Sequence, residues 1–256
     1  MATLDLSVLT AGALRLAAAA GAEISRLGNQ RDLRRKSDGS PVTAADEAAE
    51  AILLAGLREL TPDIPVVAEE QMAGGHQHNL RPDAPFWCVD PLDGTRDFAD
   101  GFSDYVVCLG LVEGGFPILG VLFAPASGVA WAGANGAAHR LEAGRSAPIQ
   151  ARACPATGPI ALISRSNRDG SRLDQYLEAA GATERRTIGS ALKFARIAEG
   201  DGDLYARFGA THEWDTAAGQ AVLEAAGGAV LDDRGERLRY GKPDFANGPF
   251  VARGRV

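Results

Sequence analysis

Carboxylates stand at four places in this chain that do not read as ordinary solvated charge. Asp46 lies inside a helical stretch, Glu69 and Glu70 close the apolar run "PVVAEE", Asp90 and Asp93 follow "FWCV", and Asp215 opens "DTAAGQAVLEAAGG". Each alone has a plain structural explanation. Asp215 suits a helix N-cap, Asp90-Pro91 suits a turn, and Asp46, Glu69 and Glu70 suit exposed charge. Brought together, they repel one another unless protonated or bridged by a cation. A donor set of oxygens without His or Cys favours a hard ion, with Mg²⁺ foremost.

The stretch "DPLDGT" (90–95) sharpens this reading. A tight turn through Pro91 and Leu92 aims Asp90 and Asp93 into one small volume and frees the Leu92 carbonyl as a third oxygen, while Pro91 stiffens the turn. Gly94 lets an anion approach the backbone, where successive N–H groups and a following helix start can cradle phosphate. Thr95 supplies a hydroxyl able to orient water. Metal ligands beside an anion cradle suit metal-assisted hydrolysis of a phosphate ester.

The rest of the chain must position these groups. Its 256 residues are 46% hydrophobic and 23% charged, enough for a large core or two fused lobes. A net charge of −7 argues against coating a nucleic acid polymer, so an anionic substrate needs local cations or metal. Cys88, Cys108 and Cys154 lack metal-type spacing and read as buried reduced thiols of a cytosolic protein. The apolar N-terminal stretch carries Asp5 and Arg15 and keeps a helical stripe, so a docked helix over 4–27 is expected rather than a leader or a membrane span. A second helix is expected over 43–60 with Thr43 as N-cap. Strands follow at "PVVAEE" and "FWCVD", and hairpins over 103–134. Beyond residue 155, strands alternate with helices at 171–181, 190–199 and 215–227, an α/β texture after an α+β first half. The expected division is a lobe of residues 1–154 carrying most metal ligands and a lobe of 155–256 carrying substrate contacts and Asp215, seamed near 151–159.

With "DPLDGT", "EE" (69–70) and "WDTAAGQAVLEAAGG" (214–228) in hand, the chain from about residue 35 onward resembles the inositol monophosphatase superfamily of Mg²⁺-dependent, lithium-sensitive phosphatases. "SPVTAAD" (40–46), "SRSNRDG" (164–170), "GSALKFARIAEGDGDLYARFG" (189–209) and "YGKPDFANGPFVA" (240–252) resemble its bacterial 3′(2′),5′-bisphosphate nucleotidase branch. The resemblance implies a layered αβαβα sandwich with the site in a cleft between its sheets, and two or three Mg²⁺ ions. Glu69, Asp90 and the Leu92 carbonyl would hold one ion, and Asp90, Asp93 and Asp215 a second. Asp46, with Glu69, would place a third ion or the attacking water, and Thr95 would orient that water. Glu70 joins this catalytic set as an acceptor beside the ligands. The Gly94 and Thr95 amides would hold the phosphate, with Asp215 also bordering the substrate.

Substrate choice turns on Arg207, which falls where inositol monophosphatases carry a glutamate facing the sugar. An arginine there suits a second phosphate, and Ser190, Lys193 and Arg196 lie nearby in sequence. Asn167 replaces a histidine frequent in this branch. His76, His78, His139 and His212 read as surface or loop residues. The expected reaction is adenosine 3′,5′-bisphosphate plus water giving AMP and phosphate, clearing a by-product of sulfate assimilation. The sulfated precursor of that nucleotide is not ranked against it. Inositol- or histidinol-phosphate hydrolysis is the alternative, and a nucleotide-binding regulatory protein without turnover is the alternative of another class. The expected protein is a monomer or homodimer in the cytoplasm, with peripheral attachment to the inner membrane face as the variant of that placement.

Overall fold

The computed structural model describes residues 4–28, 32–36, 39–78, 80–81, 83–165 and 169–255. In chain order its elements are α1 (Leu6–Arg26), β1 (Arg34–Arg35), β2 (Pro41–Val42), α2 (Ala44–Leu60), β3 (Val66–Ala68), α3 (Glu69–Ala73), β4 (Phe86–Asp93) and α4 (Thr95–Ala99). Then come β5 (Val106–Glu113), β6 (Phe116–Ala124), β7 (Val129–Ala134), β8 (Ala137–Glu142), β9 (Arg145–Ile149), β10 (Ile160–Ile163), α5 (Gly170–Ala179), β11 (Glu184–Thr187) and α6 (Leu192–Ala198). The chain closes with β12 (Leu204–Arg207), β13 (Thr211–His212), a 3₁₀ turn (Glu213–Asp215), α7 (Ala217–Ala225), β14 (Ala229–Asp232), β15 (Ala246–Asn247) and β16 (Phe250–Arg253).

β3 to β9 form a seven-stranded sheet in sequence order, and β11-β10-β12-β16-β14 form a five-stranded one. Alternate side chains of β4 and β5 serve two cores. Trp87, Val89, Val107 and Leu109 face α1 and α2, whereas Phe86, Cys88, Val106 and Cys108 join the core around α6 and α7. α5 covers the outer face of the five-stranded sheet through Leu173 and Leu177. The layers are therefore helix, sheet, helix, sheet, helix, the αβαβα sandwich implied by the resemblance.

α1 is capped by the Asp5 carboxylate, which accepts from the amides of Ser7 and Val8. By length and composition it is the one helix among the described residues that could cross a membrane. Its stripe of Leu9, Ala13, Ala17, Ala20 and Ile24 is buried in the core shared with α2 and the large sheet.

α7 reaches the large sheet through a column of glycines paired across three strands, Gly110 with Gly120 and Gly120 with Gly133. A methyl group on Gly120 would stand 2.2 Å from the Ala218 carbonyl, and one on Gly133 2.6 Å from the Val222 Cα. Only glycine permits this approach, which sets the depth of the turn that carries Asp215.

Several expectations need correction. β3 ends at Ala68, so Glu69 and Glu70 open α3 rather than close a strand. β4 runs through Pro91 to Asp93, with its register against β5 shifting between Asp90 and Asp93. The segment is a bulged strand, not a tight turn, and Pro91 sits where the ladder is already broken. α7 begins at Ala217, not at Asp215. Cys154 is exposed, while Cys88 and Cys108 are buried free thiols.

Candidate active site

A cleft of about 710 Å³ opens between the two sheets. Asp90, Leu92, Asp93, Gly94, Thr95, Glu69 and Asp215 line one end, and Ser190, Lys193 and Arg207 line the wall opposite. Asp46 and Glu70 stand behind this lining.

Asp90, Asp93 and Asp215 come closest together, each offering an oxygen within 4.8 Å of the others'. The bulge in β4 turns Asp90 and Asp93 toward one volume, and the 3₁₀ turn before α7 delivers Asp215. His212 fixes the latter, because its N–H donates to Asp215 Oδ2 at 2.8 Å and its ring accepts from the Asp215 N–H. The His212 ring also stacks on Trp214, with centroids 4.5 Å apart. His212 is exposed, as a surface role implies, yet it borders the cleft and braces Asp215.

Asp46 belongs to the capping box of α2. Its Oδ2 accepts from the Thr43 amide at 2.9 Å and from the Thr43 hydroxyl at 2.6 Å. Its Oδ1 accepts from the Thr95 hydroxyl at 2.8 Å, and that hydroxyl also lies 3.2 Å from the Leu92 carbonyl oxygen. Far from being exposed helical charge, Asp46 is 1% exposed. Gly94 has φ +97°, and a Cβ there would stand 2.9 Å from the Asp104 carbonyl, so the residue that opens α4 must be glycine.

The electrostatics are those of like charges gathered in a partly buried cluster. Burial first, then Glu69, Asp93 and Asp215, push Asp90 well above the usual carboxylate range. Burial, Asp93 and Glu69 do the same to Asp215. Asp93 is raised by burial to about 6, opposed by Lys193 and by the Ala191 amide that donates to it. Burial also raises Asp46, and lifts Glu70 to about 8 and Glu50 to about 7. A hard cation among these oxygens would offset both burial and mutual repulsion, so the donor set fits a divalent metal.

Glu69 is separated from the closest group. Lys36 Nζ lies 2.7 Å from Glu69 Oε1 and 2.7 Å from Glu70 Oε1, with the lysine side chain 6% exposed. Burial works against this ammonium, yet the two glutamates hold its pKa above the lysine norm. Lys36 escapes sequence reading because it sits in a basic run with no periodicity to distinguish it.

The cationic wall differs from the expectation. Lys193 is 2% exposed and donates to the carbonyls of Ser190 and Ile188 at 2.6 and 3.1 Å, bracing the loop on which Ser190 takes φ +52°. Burial lowers its pKa to about 8. Arg207 Nη1 is 3.2 Å from Asp169 Oδ2 and 3.3 Å from Ser164 Oγ, while its buried Nε has no hydrogen-bond partner among the described residues. Asp169 also accepts from the amides of Phe208 and Gly209, an anchor that sequence reading missed. Arg196 does not join this wall but pairs with Glu199 on the exposed side of α6. Asn167 lies outside the described residues.

A family model described as the inositol monophosphatase family matches residues 5–254, extending the resemblance through α1. The 3′(2′),5′-bisphosphate nucleotidase CysQ of Escherichia coli (strain K12) is 46% identical over 211 residues, covering 82% of this chain and 83% of its own. That of Buchnera aphidicola is 37% identical over 247 residues, covering 93% and 91%. The structure of CysQ from Bacteroides thetaiotaomicron superposes with a TM-score of 0.82 at 28% identity, over 99% of this chain and 100% of that one. An inositol monophosphatase from Anabaena gives 0.77 at 26% identity, over 98% and 92%. By sequence and by fold, the chain belongs to the inositol monophosphatase family.

Proposed function

We propose that this protein is a Mg²⁺-dependent phosphatase that removes the 3′-phosphate of adenosine 3′,5′-bisphosphate, giving AMP and phosphate. The observation that carries this reading is a single cleft with a cluster of carboxylates at one end and, across it, the buried Arg207, whose Nε has no hydrogen-bond partner among the described residues. A phosphate at the first and a second phosphate at the other would satisfy both. The names of the bisphosphate nucleotidase relatives support the same substrate.

Asp90, Asp93 and Asp215, with Glu69 and the Leu92 carbonyl, would hold the two or three ions. When bound, these supply acidified water and neutralise the charge that develops on phosphate and leaving oxygen. The protein's own groups do the rest. Thr95 Oγ1 donates to Asp46 Oδ1, so its lone pairs are turned to accept a proton from the attacking water. As that proton reaches Thr95 Oγ1, the threonine proton passes to Asp46 Oδ1, whose raised pKa suits the task. The Gly94 and Thr95 amides, at the start of α4, face phosphate oxygens. Glu70 keeps Lys36 in place beside Glu69. Ser190 and Arg207 take the 5′-phosphate, and Lys193 shapes the Ser190 loop while adding positive charge behind it.

The stretches 1–154 and 155–256 are read as lobes sharing this cleft, a division supported by each sheet drawing on one of them. The substrate is a small nucleotide rather than a polymer, in keeping with the acidic chain. We assign the enzyme to the cytoplasm, where free thiols such as Cys88 and Cys108 stay reduced.

A second reading has an observation of its own. Asp169 already offsets the Arg207 charge, which weakens the case for a second phosphate and favours a monoester such as inositol 1-phosphate. Phosphate release from both substrates, with Mg²⁺ and with chelator, decides. Mg²⁺-dependent preference for the nucleotide sustains the main reading, and preference for inositol 1-phosphate replaces it.

A further inference from the structure

α3 has a gap at its start. Its N-cap is Ala68, which has no side-chain oxygen for the first amides of the helix, and an unsatisfied amide out of water costs about 1–3 kcal/mol. The missing oxygen comes from another helix. Glu50 Oε2 accepts from the Glu70 N–H at 2.7 Å, and the same carboxylate accepts from the Gln71 N–H. Glu50 lies one turn beyond Asp46 on α2, is 5% exposed, and does not line the cleft.

A cap alone does not account for this choice. Serine or asparagine at position 68 would satisfy the same amides without burying a charge among carboxylates. What Glu50 achieves, and a local cap would not, is to tie the first turn of α3 to α2. That turn carries Glu69 and Glu70, and α2 carries Asp46. Oxygens contributed by two separate helices are thereby held in one frame.

We propose that Glu50 is a positioning residue for the cation site: it clamps the first turn of α3 to α2, holds Glu69 at the cleft wall, and so sets the affinity for the divalent ion. The inference rests on the metal-dependent reading above. Glu50 does not line the cleft, so it acts on metal binding before it acts on turnover. Groups that orient metal ligands from behind are worth about 10- to 100-fold in metal affinity when removed.

The test is calorimetric titration of Mg²⁺ into the wild-type protein, Glu50→Gln, Glu50→Asp and Glu50→Ala, with kcat and KM followed over the same Mg²⁺ range. Glu50→Ala is expected to bind Mg²⁺ at least about tenfold more weakly. Its kcat returns at saturating Mg²⁺ and its KM for the nucleotide is unchanged. Glu50→Gln keeps the reach and one acceptor oxygen, and restores most of the affinity. Glu50→Asp keeps the charge but is one methylene short, and behaves like the alanine variant. Should Glu50→Ala fail to fold, the aspartate variant decides. Wild-type Mg²⁺ affinity in the alanine and aspartate variants overturns the proposal, as does a kcat loss that no Mg²⁺ concentration repairs. Absence of Mg²⁺ binding by the wild-type protein would instead remove the metal reading itself.

Discussion

The two ends of the cleft are built on opposite principles. At the acidic end, Asp90, Asp93 and Asp215 are presented by a bulged strand and a turn seated on the large sheet, where burial and their mutual repulsion both oppose ionisation. At the basic end, Lys193 is fully engaged and Arg207 partly so, its Nη1 paired and its Nε left without a partner among the described residues. The lysine caps the carbonyls of its own loop, and the arginine leans on Asp169. One end is preorganised and electrostatically frustrated, the other nearly self-sufficient. Such a division ties the chemical step to rigid geometry and leaves substrate choice to contacts that can be exchanged.

The sharpest way to break this comparison is to neutralise one member of the frustrated end. Asp93→Asn is expected to lower kcat by about 10³-fold at saturating Mg²⁺, since a lost metal ligand removes several kcal/mol of transition-state stabilisation. In chelator, however, the same variant should melt at or above the wild-type temperature, because it removes a half-buried charge among like charges. Lower activity with equal or higher stability marks a functional cluster. A fall in both would show that Asp93 supports the fold.

The same frustration has a pH signature. Asp93, Glu50 and Glu70 have folded-state values near 6, 7 and 8, all pushed above their ordinary range by burial. A carboxyl whose pKa is raised on folding contributes stability that is complete below its unfolded value, near 4, and lost as pH rises through its folded value. Metal-free protein should therefore lose stability between about pH 4 and pH 8, and Mg²⁺ should restore more at pH 8 than at pH 5. A shift of about 5 °C or more is expected in melting temperature, since each kcal/mol moves a domain of this size by about 2–4 °C. Melting curves with and without chelator at both pH values check it, and a metal-free protein as stable at pH 8 as at pH 5 breaks the account.

At the basic end, Arg207→Glu should raise KM for the bisphosphate about 10- to 100-fold, in line with the loss of a charge-assisted contact and gain of a repulsive one. KM for a monophosphate should hardly move. Equal changes for both substrates would show that Arg207 serves the loop and not the second phosphate.

How much of this was legible in the sequence divides along the same line. The helices α1 and α2 were readable because periodicity and the Thr43 cap are local signals. The acidic cluster was readable because its members sit at the ends of apolar runs, within motifs of fixed spacing. Glu50 was not, since a glutamate one turn past Asp46 looks like another solvated charge until α3, some 20 residues later, is packed on it. Neither was Asp169, whose partner Arg207 lies 38 positions away on β12. The Asp90–Asp93 bulge looks like a turn in the sequence because proline and aspartate favour both. Only the pairing of β4 with β5 tells them apart. Sequence proximity to Lys193 puts Arg196 near the cleft, yet the helix turns it outward to Glu199.

The smallest effect tests whether the basic end is as self-sufficient as it looks. Asp169 accepts from the amides of Phe208 and Gly209 through Oδ1 and meets Arg207 through Oδ2. In Asp169→Asn the amide oxygen can keep the two backbone contacts while the charge that offsets Arg207 disappears. The guanidinium is then freer to pair with phosphate, and KM for the bisphosphate should fall by about two- to fivefold with kcat unchanged, as one charge-assisted contact strengthens. Steady-state kinetics with both substrates reads this directly. A lower KM for the nucleotide alone would mean that Asp169 holds Arg207 in check. A higher KM for both would mean that the Asp169–Arg207 pair is the scaffold of the wall, and that the second phosphate is read elsewhere.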